Sequence, residues 1–109
     1  MANWPYSAPY KPPQIDWSDV EIERIGELLK AIAHPLRLSI VCLLGEGERS
    51  VGDISQEIGS SQPNISQHLS LLSNRKLLKS RKDANRIYYR IADERLISII
   101  SMLRGIYCP

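Results

Sequence analysis

The sequence predicts a small, mainly α-helical domain that carries one β-hairpin, and three observations support this. Apolar residues recur with helical spacing in five segments between residues 19 and 107. Two short segments, Leu78–Lys82 and Ile87–Ile91, are rich in branched, aromatic and basic residues and flank a polar turn. The chain has 109 residues, 43% of them hydrophobic, which suits one globular domain and is too short for two.

Residues 1–14 differ in composition from the rest of the chain. They hold four of the seven prolines and three of the seven aromatic residues, without a helical or alternating pattern. We therefore expect a Pro-rich N-terminal arm over residues 1–14, either free or docked on the body or on a partner subunit, and a folded domain over residues 15–109. No apolar run approaches the roughly 18 residues of a membrane span and no secretory signal is present, so a cytoplasmic location without membrane contact is expected.

Local signals delimit the first two helices. Ser18 and Glu21 have the spacing of a capping box. A helix over residues 19–33 follows, with an apolar stripe formed by Ile22, Ile25, Leu29 and Ile32. His34-Pro35 ends this helix, and Pro35 suits the first position of a second helix that runs to Gly45 and Gly47. The apolar stripe of the second helix consists of Leu36, Ile40, Leu43 and Leu44.

A tight turn separates the third and fourth helices. Ser50 and Asp53 open the third helix, and Gly59 supplies the left-handed residue that ends it. Ser61 is the expected cap of the fourth helix, whose buried seam consists of Ile65, Leu69 and Leu72. Two short helices joined by a Gly/Ser turn are typical of a helix-turn-helix motif.

The last part of the chain is predicted to form the hairpin and a fifth helix. The hairpin turns at Asp83-Ala84-Asn85, and Asp93 is the expected cap of the helix. The apolar face of this helix is wider than a single surface helix needs; it comprises Leu96, Ile99, Ile100, Leu103, Ile106 and Tyr107. This excess of apolar surface predicts that the helix forms part of an interface.

The net charge of +2 conceals a strongly basic segment. Residues 60–91 hold seven basic side chains against the single acid Asp83, whereas residues 1–59 hold five basic and nine acidic side chains. A local excess of this kind attracts polyanions, although a basic run alone also fits a solvated face. The chemistry of the fourth helix favours the first interpretation.

The outward face of the fourth helix carries short amides and hydroxyls. Helical geometry places Gln67 opposite the buried seam, and residues 62–74 contain no acid that would repel phosphate. Gln and Asn pair with adenine edges and Ser with any base edge, so this helix is expected to read DNA. The candidate contacts are Ser61, Gln62, Asn64, Ser66, Gln67 and His68. His68 lies beside the seam and either contacts a phosphate or packs within the domain.

Three basic residues flank the hairpin turn. Arg81, Lys82 and Arg86 are placed to contact phosphates or to enter a minor groove. Contacts of this kind supply affinity and register more than sequence choice. A helix-turn-helix followed by a basic hairpin predicts a winged helix that binds double-stranded DNA.

Four motifs resemble the ArsR/SmtB family of bacterial winged-helix repressors. They are residues 29–38 (LKAIAHPLRL), 50–54 (SVGDI), 61–69 (SQPNISQHL) and 86–90 (RIYYR), and the Ser-Gln-x-x-x-Ser-Gln-His-Leu string is the specific part. The resemblance implies a homodimer held by the first and last helices. It also implies a palindromic, inverted-repeat operator that receives one recognition helix in each half-site.

The metal-binding patterns of that family are missing from this sequence. Where a Cys-x-Cys motif would stand, the third helix has Ser50-Val51-Gly52-Asp53, and the last helix contains no His. The chain has only two His, so neither a metal site nor a cofactor is expected. A metal-responsive or ligand-independent regulator of the same fold is the alternative.

The two cysteines are the remaining candidates for a switch. A single buried Cys is commonly a small core residue. However, Cys42 in the second helix together with Cys108 in a C-terminal Tyr-Cys-x ending resembles the thiol pair of the redox- and persulfide-responsive, HlyU/BigR/SqrR-like branch of the family. The resemblance implies that a disulfide or polysulfide bridge between the two thiols changes DNA affinity.

An enzymatic role is not expected. The sequence offers no nucleophile–base arrangement, no Gly-rich phosphate loop and no paired carboxylates beyond surface acids. A protein-interaction module is the other class to separate from a DNA-binding regulator. Substitution of Gln67 and Arg86 would separate them, since an interaction module would tolerate both changes.

Overall fold

In the computed structural model, which describes residues 18–107, five helices surround a small antiparallel sheet. The order along the chain is α1 (Asp19–Ile32), α2 (Pro35–Leu44), β1 (Arg49–Ser50), α3 (Val51–Ile58), α4 (Gln62–Asn74), β2 (Leu78–Asp83), β3 (Arg86–Ile91) and α5 (Glu94–Tyr107). This order confirms the predicted winged helix-turn-helix architecture. The N-terminal arm and Cys108 lie outside the described residues, so the expectations about them stay predictions.

The predicted caps are present at the helix starts. The Ser18 side chain accepts a hydrogen bond from the Glu21 amide, and the Glu21 side chain accepts one from the Ser18 amide, both at 3.2 Å. Ser50 and Ser61 accept from the amides of Asp53 and Asn64 at the starts of α3 and α4. Asp93 accepts from the Arg95 amide at 3.0 Å at the start of α5. These bonds satisfy amides that the helices leave unpaired.

The corner between α1 and α2 has a further cap that the sequence analysis did not predict. His34 was expected only to end α1 together with Pro35. In the structure, His34 is the N-cap of α2, and its Nδ1 accepts a hydrogen bond from the Leu36 amide at 3.1 Å. Pro35 occupies the first turn as predicted, where its missing N–H leaves no helix bond unmade.

The sheet has one strand more than the predicted hairpin. Its order is β1-β3-β2, with both pairs antiparallel, and the β2–β3 hairpin is one residue longer on each strand than expected. In the hairpin, Asp83 pairs with Arg86 across the two-residue turn. Strand β1 is too short to show an alternating pattern, and it forms because β3 supplies a hydrogen-bonding edge beside it.

The core lies between the helix-turn-helix, α2 and the start of α5. The fully buried side chains include Ile40, Val41, Ile54, Ile65, Leu69, Leu72 and Leu96. By contrast, the rest of residues 18–107 leaves most of the apolar stripe of α1 uncovered: Ile32 is buried, while Ile22 and Leu29 are 50% and 49% exposed. No helix within residues 18–107 is long and apolar enough to cross a membrane.

Candidate nucleic-acid interface

The turn between α3 and α4 sets the direction of α4 relative to α3. Gly59 ends α3 with a φ of 80°, in the left-handed region that glycine adopts without a Cβ clash. The Ser60 amide donates back to the Ser55 carbonyl, and the Ser55 hydroxyl donates to the Ser60 carbonyl. The Asn64 side-chain amide donates to the Ser60 hydroxyl at 2.9 Å. The helix-turn-helix is therefore held by side chains as well as by its apolar core.

Helix α4 has one buried and one exposed face, as predicted. Ile65, Leu69 and Leu72 are completely buried. The predicted contact residues Ser61, Gln62, Asn64, Ser66 and Gln67 are all exposed. Gln67 lies opposite the seam, Asn64 and Ser66 flank it, and Ser61 and Gln62 lie at the N-terminal end of the helix. The amides and hydroxyls of all five are accessible to a ligand approaching α4 from solvent.

Two of these residues also have local structural roles. The Ser61 hydroxyl oxygen accepts the Asn64 amide as the N-cap of α4, at 3.3 Å. The Asn64 side chain uses one N–H on Ser60, which leaves its carbonyl oxygen and its second N–H for a ligand. Gln62, Ser66 and Gln67 are thus the candidates whose side chains have no part in the caps and turn described above.

His68 lies beside the seam and contacts the corner between α1 and α2. Its Nδ1 is 3.4 Å from an Nη of Arg37, and its ring centroid is 4.8 Å from that of His34. The Arg37 Nε donates to the Ala31 carbonyl near the end of α1. Burial, with nearby His34 and Arg37, lowers the pKa of His68 below its usual value. The sequence left open whether His68 contacts a phosphate or packs within the domain. Its contacts with Arg37 and His34 are packing contacts.

The register of the hairpin places its basic residues on two faces. Arg81 is directly opposite Tyr88, Lys79 is opposite Arg90, and Lys82 is opposite Ile87. Since side chains alternate along a strand, Arg81, Arg86 and Arg90 share the outward face, and Lys82 lies on the other. Lys79 and Arg90 were not among the predicted wing contacts, although period-two alternation would have indicated Lys79 from Arg81 and Arg90 from Arg86.

Arg81, one of the predicted phosphate contacts, also pairs within the protein, and its side chain is 51% exposed. Its Nε is 3.1 and 3.0 Å from the two carboxylate oxygens of Glu48, and its Nη2 is 2.7 Å from one of them. The guanidinium carbon lies 4.5 Å from the centroid of the Tyr88 ring. Glu48 is 33 residues away in sequence, and no local pattern predicts this pairing. Lys82 and Arg86 are exposed near the tip.

Of the two cysteines, Cys42 lies within the described residues. It is half-buried in α2 and packs against the core. Two basic residues on the cysteine-bearing part of the fold have other contacts: Arg37 of α2 contacts Ala31 and His68, and an Nη of Arg104 of α5 lies 3.1 Å from Glu46. Within residues 18–107, no three His, Cys, Asp or Glu side chains are grouped so that they could hold a metal ion.

An exposed helix of amides and hydroxyls next to a basic hairpin defines a winged helix-turn-helix domain of the DNA-binding class. Residues 34–80 match the family described as bacterial regulatory protein, arsR family. The biofilm growth-associated repressor of Xylella fastidiosa is 36% identical over 98 residues, which cover 88% of this chain and 86% of that protein. The transcriptional activator HlyU of Vibrio cholerae is 38% identical over 81 residues, which cover 74% and 75%. This chain therefore belongs to the arsR family of bacterial transcriptional regulators.

Solved structures agree with this assignment. HlyU from Vibrio cholerae superposes with a TM-score of 0.82 at 34% identity, covering 84% of this chain and 100% of that one. The transcriptional repressor BigR from Xylella fastidiosa gives 0.78 at 36% identity, covering 83% and 92%. A homodimeric winged helix-turn-helix DNA-binding domain from Mycobacterium bovis gives 0.73 at 29% identity, covering 88% and 89%. The predicted HlyU/BigR-like branch of the family fits these relatives.

Proposed function

We propose that this protein is a homodimeric repressor that binds an inverted-repeat operator and is switched by its two thiols. The DNA-binding part of this proposal rests on the surface of α4. That helix exposes Gln62, Ser66 and Gln67 over a completely buried seam, and its sequence contains no acid. A surface of this kind pairs with base edges and does not repel phosphate.

In the proposed complex, α4 enters the major groove. Gln67 and Gln62 pair with base edges, and Ser61, Asn64 and Ser66 contact bases or phosphates near the start of the helix. His68 supports α4 from the side through Arg37, and any phosphate contact that it makes comes from its remaining ring nitrogen. The exposed Lys82 and Arg86 lie along the phosphate backbone or in the adjacent minor groove.

The exposed apolar faces of α1 and α5 support a dimer. Ile22 and Leu29 on α1 and Met102 and Ile106 on α5 are between 49% and 67% exposed in the single chain. Several large apolar side chains exposed on the same helices are characteristic of a subunit interface. Two-fold symmetry through these helices would present two α4 helices to half-sites about 34 Å apart, one turn of DNA.

The oligomeric state can be measured directly. Sedimentation equilibrium is expected to give about twice the chain mass of 12.4 kDa. Leu29→Asp places a charge in the apolar face and is expected to shift the equilibrium toward monomer and weaken operator binding. Lys30→Asp introduces the same residue at the next, exposed position and serves as the control. A parent protein that sediments as a monomer at all concentrations would rule out the dimer.

DNA binding is tested by fluorescence anisotropy with duplexes from the DNA upstream of the gene. Gln67→Ala is expected to weaken binding to the operator duplex by about 5- to 150-fold, the range for loss of one bidentate base contact. The same variant should bind a scrambled duplex as the parent does, because that complex rests on phosphates. Equal binding of parent and variant to the operator would show that Gln67 does not read bases.

The thiol part of the proposal rests on the position of α5 against α2. The Arg104–Glu46 ion pair joins the last turns of α5 to the residues that follow α2, and the Ile100 side chain lies near Gly45. Cys42 is in the last turn of α2, and Cys108 directly follows Tyr107, where α5 ends. These contacts hold the end of α2, which contains Cys42, near the end of α5, which precedes Cys108.

The proposed chemistry has two routes. With peroxide, the two thiols form one disulfide, and their two protons and two electrons convert the peroxide to two waters. With a persulfide, RSSH, one protein thiol takes the outer sulfur and releases RSH. The second protein thiol then attacks the inner sulfur of the new protein persulfide and releases hydrogen sulfide, which leaves a disulfide. In a reducing cytosol such a bridge is transient, as a signal requires.

The thiol switch is tested by mass spectrometry and anisotropy on the same samples. Persulfide treatment is expected to produce an intramolecular bridge and to change operator affinity, and reductant should reverse both. Cys42→Ser and Cys108→Ser should each abolish the response while the untreated variants bind DNA as the parent does. If both single variants respond like the parent, the thiols are not the switch. Release of DNA by zinc when both thiols are blocked would favour the metal-responsive alternative.

A further inference from the structure

The side chain of Arg81 ties together all three strands of the sheet. Arg81 lies on β2, and its cross-strand neighbour Tyr88 lies on the central strand β3. Tyr88 is in turn paired with Ser50 of β1, and Glu48 precedes β1 by one residue. The Arg81 side chain therefore runs from the edge strand β2, over the Tyr88 ring of β3, to the Glu48 carboxylate beside the other edge strand, β1.

Arg81, Tyr88 and Glu48 together form a side-chain bridge across the sheet, and its contacts have good geometry. Three N···O distances of 2.7 to 3.1 Å join the Arg81 guanidinium to both oxygens of Glu48, and the Tyr88 ring lies 4.5 Å below the guanidinium carbon. Hydrogen bonding to Arg81 lowers the pKa of the Glu48 carboxyl, and the same bond raises the pKa of Arg81. Bidentate pairing and stacking hold a planar guanidinium in one orientation, which a lysine could not match.

The bridge also joins the wing to the helix-turn-helix. Ser50, at the end of β1, is the N-cap of α3, and its side chain is buried. Glu48 is thus two residues from the N-cap of the first helix of the motif. The contact between Arg81 and Glu48 therefore links the hairpin, with its exposed tip cations Lys82 and Arg86, to the segment that leads into α3.

We propose that Glu48 is a fixed counter-charge for the wing, which holds Arg81 across Tyr88 so that Arg81 positions the hairpin instead of contacting DNA phosphate. The proposal rests on the proposed DNA-binding function and assigns separate roles to residues that the sequence groups together. Lys82 and Arg86 supply phosphate contacts. Arg81 and Glu48 are positioning residues that act through the geometry of the sheet.

The salt dependence of DNA affinity distinguishes the two roles. Each phosphate contact contributes about 0.9 to the slope of log K against log salt, which is about a 3.5-fold change in affinity for a fourfold change in salt. We expect Lys82→Gln to reduce the slope by about this amount. Arg81→Gln should leave the slope unchanged and weaken binding by the same factor at every salt concentration, because it loosens the hairpin without removing an ion pair with DNA.

Glu48→Gln provides the complementary measurement. Loss of the Glu48 carboxylate removes the bidentate partner of the Arg81 guanidinium and leaves only the longer ion pair with Asp83, at 3.7 Å. The slope should therefore become steeper, by up to about 0.9. The double variant Glu48→Gln with Arg81→Gln should return to the parent slope. Glu23→Gln, an exposed acid on α1, is the control for removal of one negative charge elsewhere, and it should leave the slope as in the parent.

The outcomes separate this inference from the proposed function. If the parent binds no operator duplex, both fail. If the parent binds but Arg81→Gln reduces the slope as much as Lys82→Gln, or Glu48→Gln leaves it unchanged, only the role assigned to Arg81 and Glu48 is wrong. Should Arg81→Gln fail to fold, the NMR signal of the Arg81 Nε–H in the parent decides the question. A signal that stays at the same shift when operator is added supports the pairing, and a large change overturns it.

Discussion

Lys76 lies between α4 and β2 and has a backbone conformation that costs free energy for a residue with a Cβ. Its φ is 63°, in the left-handed region. The Leu77 amide donates to the Leu72 carbonyl at 3.0 Å and the Lys76 amide to the Ser73 carbonyl at 2.9 Å. These two bonds form a Schellman motif, in which the left-handed position is usually glycine. We therefore predict that Lys76→Gly stabilises the protein.

The magnitude follows from two opposing terms. A residue with a Cβ pays roughly 1–2 kcal/mol in the left-handed region, and glycine avoids this cost. Glycine in turn gives the unfolded chain more freedom, which costs about 0.4–1 kcal/mol. The expected net gain in unfolding free energy is about 0.5–1 kcal/mol. For a domain of this size, that gain raises Tm by roughly 2–8 °C.

The assay is urea unfolding followed by circular dichroism, at one fixed protein concentration because a dimer's stability depends on it. Lys76→Ala keeps the Cβ and removes the charge, so it should match the parent within about 0.5 kcal/mol. Lys79→Gly makes the same substitution in an extended strand and should destabilise by about 0.5–1 kcal/mol. If Lys76→Gly is no more stable than Lys76→Ala, the left-handed geometry carries no cost and the reasoning is wrong.

Three further predictions concern the packing and caps around α4 and α5. Because the pKa of His68 is lowered in the folded chain, the unfolded chain takes up the proton more readily, and unfolding free energy should fall as pH drops below about 6.5; His68→Gln should flatten this dependence in urea titrations between pH 5 and 8. Leu69→Ala should cost about 2–5 kcal/mol in unfolding free energy, since Leu69 is completely buried; a cost below about 1 kcal/mol would contradict its place in the core. Asp93→Ala should lower unfolding free energy by about 1 kcal/mol through loss of the α5 cap, and Asp93→Asn by less; equal losses would exclude capping as the cause.

Local patterns predicted the parts of the fold that depend on residues close in sequence. Ser18, Ser50, Ser61 and Asp93 cap helices by bonds to amides two or three residues away, and each was identified from its spacing. The buried seam of α4 followed from helical periodicity alone. By contrast, β1 was missed because two residues show no period, and its pairing depends on β3, almost forty residues later.

The class of this protein follows from its residue pattern alone: a helix-turn-helix whose fourth helix, α4, contains no acid, followed by a basic hairpin. Periodicity, caps and composition are properties of residues close together in the chain, so they can be read without knowledge of the tertiary contacts. Which of the hairpin cations pairs with an acid from a distant segment depends on the tertiary structure. Arg81, Lys82 and Arg86 look alike in the sequence, but the sheet brings Glu48 to Arg81 from 33 residues away. In the same way, packing of α4 against the α1–α2 corner brings Arg37 and His34 to His68, because contacts between distant segments depend on topology and not on local spacing.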